Sequence, residues 1–235
     1  MSIAANLEQV RNEVADACAR AGRSPTEVAL MAVSKVHPVE ALLEAYATGQ
    51  RLFGENRVQE FAGKASAFAE AGTWAAGEEP RVHLIGPLQN NKTGKAAELF
   101  DAVDTLDSVK TASRLNEAAA ALGKTIPVLV EIKLSHEETK HGLAPELLPE
   151  FLKAVAGFAN LRVSGLMTVP PWSEDAETAR PYFQHLRRLR DESLKEHLGL
   201  TELSMGMSND FRVAIEEGST TVRVGTAIFG KRVYA

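Results

Sequence analysis

From residue 28 onward, short apolar runs of strand length alternate with stretches of helical periodicity, eight times over. VALMAVSK (28–35) is followed by a helical stretch opened by Pro38, 51–54 by 57–70, 82–86 by 92–99, and 102–106 by 108–122. The same alternation continues with 127–133 and 145–158, 162–168 and 176–197, 202–205 and 209–216, and finally 221–225 with a short ending. A helix between each strand and the next returns the chain to the same end of the sheet, so the strands must run parallel. At about 26 residues per unit there is room for one strand, one helix and two short loops. The fold class expected is therefore α/β, a single (β/α)8 TIM-type barrel rather than an open doubly wound sheet.

Ahead of the barrel, Ile3, Leu7, Val10, Val14 and Cys18 recur at spacings of four, three, four and four, which marks one apolar helix face ending near Gly22. The expected organisation is one domain over 1–235, with a lead-in helix over 1–22 and the barrel over 28–235. The latter half of 66–81 reads as an exposed loop.

With 26 Lys and Arg against 31 Asp and Glu, the net charge of −5 argues against binding nucleic acid or an anionic membrane through bulk charge. Cys18 is the one cysteine, so no internal disulfide can form and a reducing compartment is expected. The start MSIAANLEQV lacks a basic segment followed by an apolar core, and the apolar runs fall far short of the roughly 20 residues that span a bilayer. The expected location is the cytoplasm.

In such barrels, reactive groups sit at the C-terminal ends of the strands, and the loops after strands seven and eight commonly hold phosphate. SMGMSND (204–210) and RVGTAIFG (223–230) occupy those places. Ser204, Gly206, Ser208, Gly225 and Thr226 could build an anion cradle from backbone N–H groups and hydroxyls, or simply make turns. Lys35 ends the first strand on the face of Val33, Met31 and Ala29. A lysine among apolar neighbours loses proton affinity, and a neutral amine attacks aldehydes; the alternative is a strand-end lysine reaching solvent. Arg223 shares the inward face with Thr221 and Gly225, where its permanent charge needs either a ring nitrogen or an interior carboxylate. Glu55, Asn56, His83 and the run Gln89, Asn90, Asn91, Lys92 would line the same mouth. His83 reads as an interior histidine or a ring-stacking group, and Met167 as packing ahead of ligand contact.

HEETKH (136–141) lacks the histidine spacing of a helical zinc protease, and no metal site is expected. GPLQNNKTGK (86–95) lacks the Walker spacing, and GxGxxG is absent.

Six motifs, AVSK ending at Lys35, FGENRVQE (53–60), HLIGPLQNNK (83–92), GLMTV (165–169), SMGMSND and VRVGTAIFG (222–230), resemble in order those of the pyridoxal phosphate homeostasis protein family. That family looks like the barrel domain of alanine racemase standing alone. The resemblance implies that Lys35 carries pyridoxal 5′-phosphate as an internal aldimine, a Schiff base. It further implies that Ser204, Met205, Gly225 and Thr226 hold the phosphate and that Arg223 faces the pyridine nitrogen. Asn56, His83, Met167, Gly206 and Ser208 are implied as further pocket residues. Lys140 matches a lysine carried by relatives, with a secondary role in accepting or passing on cofactor; a solvated loop charge is the alternative. Where relatives end in further lysines, this chain ends KRVYA.

The implied role is storage, buffering or delivery of the cofactor without dedicated turnover, with apo pyridoxal enzymes as recipients. An arginine at the ring nitrogen weakens the ring as an electron sink. The missing second domain removes the racemase-type dimer interface and implies a monomer. The competing readings are a slow pyridoxal-dependent amino-acid racemase or other slow pyridoxal enzyme using a base such as His83, and a barrel enzyme acting on a phosphorylated metabolite without pyridoxal.

Overall fold

The computed structural model describes residues 2–71, 74, 76–135 and 141–230. Strands β1 (Ala29–Val33), β2 (Leu52–Glu55), β3 (Arg81–Leu84), β4 (Ala102–Leu106), β5 (Ile126–Glu131), β6 (Leu161–Met167), β7 (Glu202–Met207) and β8 (Thr221–Val224) pair in parallel and in chain order. Pairing of β8 with β1, through Ala29 with Thr221 and Met31 with Arg223, closes the barrel. The expected (β/α)8 architecture is present.

Around the strands lie α1 (Ile3–Arg20), α2 (Val39–Ala47), α3 (Val58–Ala71), α4 (Thr93–Leu99), α5 (Val109–Ala121), α6 (Leu148–Val155), α7 (Arg180–Ser193), α8 (Phe211–Glu216) and α9 (Thr226–Phe229). Among the described residues, no helix is long and apolar enough to cross a membrane.

The pleat divides each strand between two environments. Phe53, Val103, Val128 and Val222 join Leu42, Phe61, Leu115 and Phe183 of the helices in one apolar layer between sheet and helices. The inward face is tighter. A Cβ on Gly54 would lie 2.7 Å from Met31 Sδ and 2.9 Å from Ile85 Cδ1, so the missing side chain at 54 admits both neighbours.

The lead-in helix begins where Ser2 Oγ accepts the Ala5 N–H, and Leu7, Val10, Val14 and Cys18 along its apolar face are buried. It packs against α2, α8 and α9, and Asn6 Nδ2 donates to the Ile228 carbonyl at 2.8 Å. Burial pushes the Cys18 thiol pKa up, as befits a packing residue.

Two local departures from the sequence expectation matter for the site. β7 continues to Met207, two residues beyond the expected end, with its register against β8 shifting between Ser204 and Met207. Gly206 takes φ +96° within that irregularity, where a Cβ would lie 2.5 Å from Ala214 Cβ. After β8 the chain turns directly into α9, a single turn too short to leave a periodic signal.

Candidate functional site

A cavity of about 530 Å³ opens at the C-terminal ends of the strands, within the size range of small-molecule sites. Of the residues singled out from the sequence, Lys35, Asn56, Ser208, Arg223, Gly225 and Thr226 line it. Their convergence follows from topology, since each lies at the end of β1, β2, β7 or β8, and β7, β8, β1 and β2 are consecutive around the barrel.

Lys35 is half-buried in the turn beyond β1, beside Val33 and His37 of the cavity wall. Asn56 is brought in by close backbone approach. A Cβ on Gly86 would lie 2.1 Å from the Asn56 carbonyl, and Thr105 Oγ1 fixes the Gly86 carbonyl with a hydrogen bond of 2.8 Å.

The β7 side of the cavity wall begins at Met207. Because β7 continues through Met207, Ser204 and Met205 are strand residues with no exposed surface. Met205 belongs to the apolar layer, and Gly206 serves the bend of the strand. None of the three lines the cavity, which is reached by Met207, Ser208 and Asn209 instead. Across from them, Ser208 Oγ accepts the Gly225 N–H at 3.4 Å. The following helix starts at Thr226, so its first N–H groups have no partner within the helix.

Arg223 is buried within the barrel and reaches the cavity wall. One of its terminal nitrogens donates to Ser204 Oγ at 2.7 Å and the other to the Thr168 carbonyl at 2.9 Å. Burial works to lower its proton affinity, opposed by the charges of Asp104, Glu131 and Asp210. Both sequence alternatives, an inward guanidinium aimed at a ligand and one balanced by interior carboxylates, are thus compatible with this one position.

Glu131 on the cavity wall was not indicated by any motif, although an acidic residue closing the apolar run VLV is a recognisable signal. Burial pushes its pKa up to about 7, with Arg223 opposing and Asp107 adding to the shift. Between about pH 4.5 and 7 the folded protein therefore holds a proton that the unfolded chain has released. Stability from this group is complete below about 4.5 and is lost as pH rises through about 7, on the order of 3 kcal/mol. Denaturant unfolding of the cofactor-free protein should show falling stability across that window, and Glu131→Gln should flatten the slope. An unchanged slope in the variant would place the titration elsewhere.

His83 does not line this cavity. It sits on β3, level with Gly54 and Ala102, and its ring faces a second cavity of about 370 Å³ at the opposite end of the barrel. There Nδ1 lies 3.1 Å from Asp104 Oδ1. Burial disfavours the charged ring, but the Asp104 charge and hydrogen bond prevail, and the pKa is raised. Period-two alternation shows that His83 points inward; it does not tell at what depth. Met167 is buried outside the cavity wall, consistent with packing. Glu55 faces the helices, not the mouth, since it alternates with inward Gly54. The run 89–92 is likewise absent from the cavity wall: Asn90 accepts bonds from Thr93, Thr111 and Arg114. Lys140 and the KRVYA ending lie outside the described residues.

Residues 5–233 match the family model described as alanine racemase, N-terminal domain. The pyridoxal phosphate homeostasis protein of Escherichia coli K12 is 44% identical over 237 residues, covering 99% of this chain and 98% of its own. That of Aquifex aeolicus is 41% identical over 235 residues, covering both chains completely. The structure of PipY from Synechococcus elongatus with PLP bound superposes with a TM-score of 0.84 at 36% identity, covering 97% of this chain and 100% of that one. By sequence across its whole length and by fold, the chain belongs to the pyridoxal phosphate homeostasis protein family, whose barrel is that of the alanine racemase N-terminal domain.

Proposed function

We propose that this protein holds pyridoxal 5′-phosphate covalently on Lys35 and stores, buffers or delivers it, with no dedicated turnover. The observation that carries the reading is the meeting of an amine, a buried guanidinium and a backbone N–H cradle on one cavity wall. The residues fit the group: an aldehyde needs the amine, a ring nitrogen needs a donor, and a dianionic phosphate needs N–H groups and hydroxyls. The names and bound PLP of the relatives support the same ligand.

When bound, the cofactor supplies an electrophilic aldehyde and an electron-withdrawing ring. Lys35 Nζ would be the amine that holds the aldehyde. Ser208, Gly225 and Thr226 would hold the phosphate, with Asn56 completing the wall. Arg223, oriented by Ser204 and Thr168, would be the donor for the ring nitrogen. As a permanent donor it would favour an unprotonated ring nitrogen, a poor setting for carbanion chemistry. We read the protein as a cytoplasmic monomer handing its cargo to apo pyridoxal enzymes.

One observation favours the competing enzyme reading: Glu131, on the cavity wall with a pKa of about 7, suits proton transfer. His83 loses that role by its position. The test has two parts. Borohydride treatment should add the reduced cofactor's mass to the intact protein, with the modified peptide mapping to Lys35; an unmodified Lys35 would remove the covalent reading. α-Proton exchange of amino acids by the loaded protein should stay near background. Rapid stereoinversion that vanishes in Glu131→Gln would make the protein an enzyme.

A further inference from the structure

The turn that carries Lys35 is gripped from outside the barrel. Val36, directly after the lysine, has φ +62°, a strained left-handed conformation for a β-branched residue. Such a conformation persists only where the surroundings over-determine it. Here the surroundings are three side chains from the β2–α3 unit. Ser34 Oγ donates to Glu55 Oε1 at 2.6 Å, and Lys64 Nζ donates to the Ser34 carbonyl at 3.1 Å and the His37 carbonyl at 3.0 Å. The Val36 N–H donates to Glu60 Oε1. Lys64 is paired with Glu55 at 2.8 Å and lies 3.7 Å from Glu60. Ser34, Val36 and His37, on either side of Lys35, are thus tied to β2–α3. On the other side, the His37 ring stacks on Phe229 of α9 at 5.0 Å, so the turn is also joined to the helix that begins with cradle residue Thr226.

Glu55 has no exposed surface, and its Oε2 has no hydrogen-bond partner among the described residues. A buried ion pair is a poor way to gain stability, since apolar side chains of similar volume often do as well or better. Its location, directly behind the strained turn, suggests another purpose.

We infer that Lys64, anchored by Glu55 and assisted by Glu60, is a positioning residue that fixes the Lys35 amine relative to the phosphate cradle. This rests on the reading of Lys35 as the attachment point. Cofactor would still bind through its phosphate without the grip, but the amine would meet the aldehyde in the wrong geometry.

The experiment compares Lys64→Met and Glu60→Ala with the parent protein. Total bound pyridoxal phosphate is measured by ultrafiltration, and the fraction fixed on Lys35 is followed by timed borohydride quenching and intact mass. Binding should hold within about threefold while covalent capture slows roughly ten- to a hundredfold, the scale of a 1 Å misplacement of reacting groups. Circular dichroism verifies folding. Should Lys64→Met not fold, Glu60→Ala decides the matter, because Glu60 is partly exposed and its removal leaves the Lys64–Glu55 pair intact. Capture at the parent rate in a folded variant overturns the positioning role, as does a loss of binding and capture in equal proportion. Absence of capture on Lys35 in the parent overturns the attachment reading, and the positioning role with it.

Discussion

Arg223→Met should lower the melting temperature of the cofactor-free protein by roughly 10 °C near pH 7.5 and by much less near pH 5. The guanidinium lies within the electrostatic reach of Asp104, Glu131 and Asp210 inside a closed barrel. Methionine fills comparable space but takes from Glu131 and Asp210 the cation that offsets their charge, while Asp104 keeps its contact with His83. Removing one partner from a buried charge arrangement costs about 3–5 kcal/mol, and for a chain of this size each kcal/mol shifts the transition by about 2–4 °C. The pH dependence identifies the cause. Burial raises the pKa of both Glu131 and Asp210, and removing Arg223 takes away a charge that holds them down, so mild acid neutralises them and relieves the repulsion. Combining Arg223→Met with Glu131→Gln should restore part of the lost stability at pH 7.5. A melting curve equally depressed at both pH values, with no rescue by the second substitution, would show that packing, not charge, is what Arg223 contributes.

Lys35→Ala should abolish borohydride-fixed mass entirely while leaving a folded protein that still takes up the cofactor weakly. The side chain is half-buried at the barrel mouth, so its truncation opens no sealed void in the apolar layer. Loss of the covalent bond leaves Ser208, Arg223 and the N–H groups of Gly225 and Thr226. An affinity loss on the order of a hundredfold is expected, equivalent to about 2.7 kcal/mol. Titration of pyridoxal phosphate into parent and variant, read by equilibrium dialysis, measures it. Inorganic phosphate should compete with the variant more effectively than with the parent, since the remaining affinity is concentrated at the cradle. Retained covalent mass in the variant would mean that another lysine is the attachment point.

The barrel was legible because alternation of strand and helix is a long-range pattern repeated eight times, and errors of a residue or two at any boundary do not alter it. The residues lining the cavity were legible where a motif falls at or near a strand end, as at Lys35, Asn56, Arg223 and Gly225. Ser204 and Met205, expected at a strand end, lie within β7 because its register irregularity carries the strand two residues further. His83 shows a different limit: periodicity gives the direction of a side chain but not its height in the barrel. The Glu55–Lys64 pair joins residues of β2 and α3 whose encounter depends on the angle between a strand and its helix, which spacing alone does not encode.

The closing of β1 against β8 has a bearing on how the protein is made. Ala29 pairs with Thr221, and Met31 with Arg223, so contacts between the first and last staves of the barrel form only after everything between them has left the ribosome. The wall that brings Lys35 and Thr226 together is complete only after that event. A ligand held by both sides of this wall, as we propose, gains its full set of contacts only once synthesis is complete.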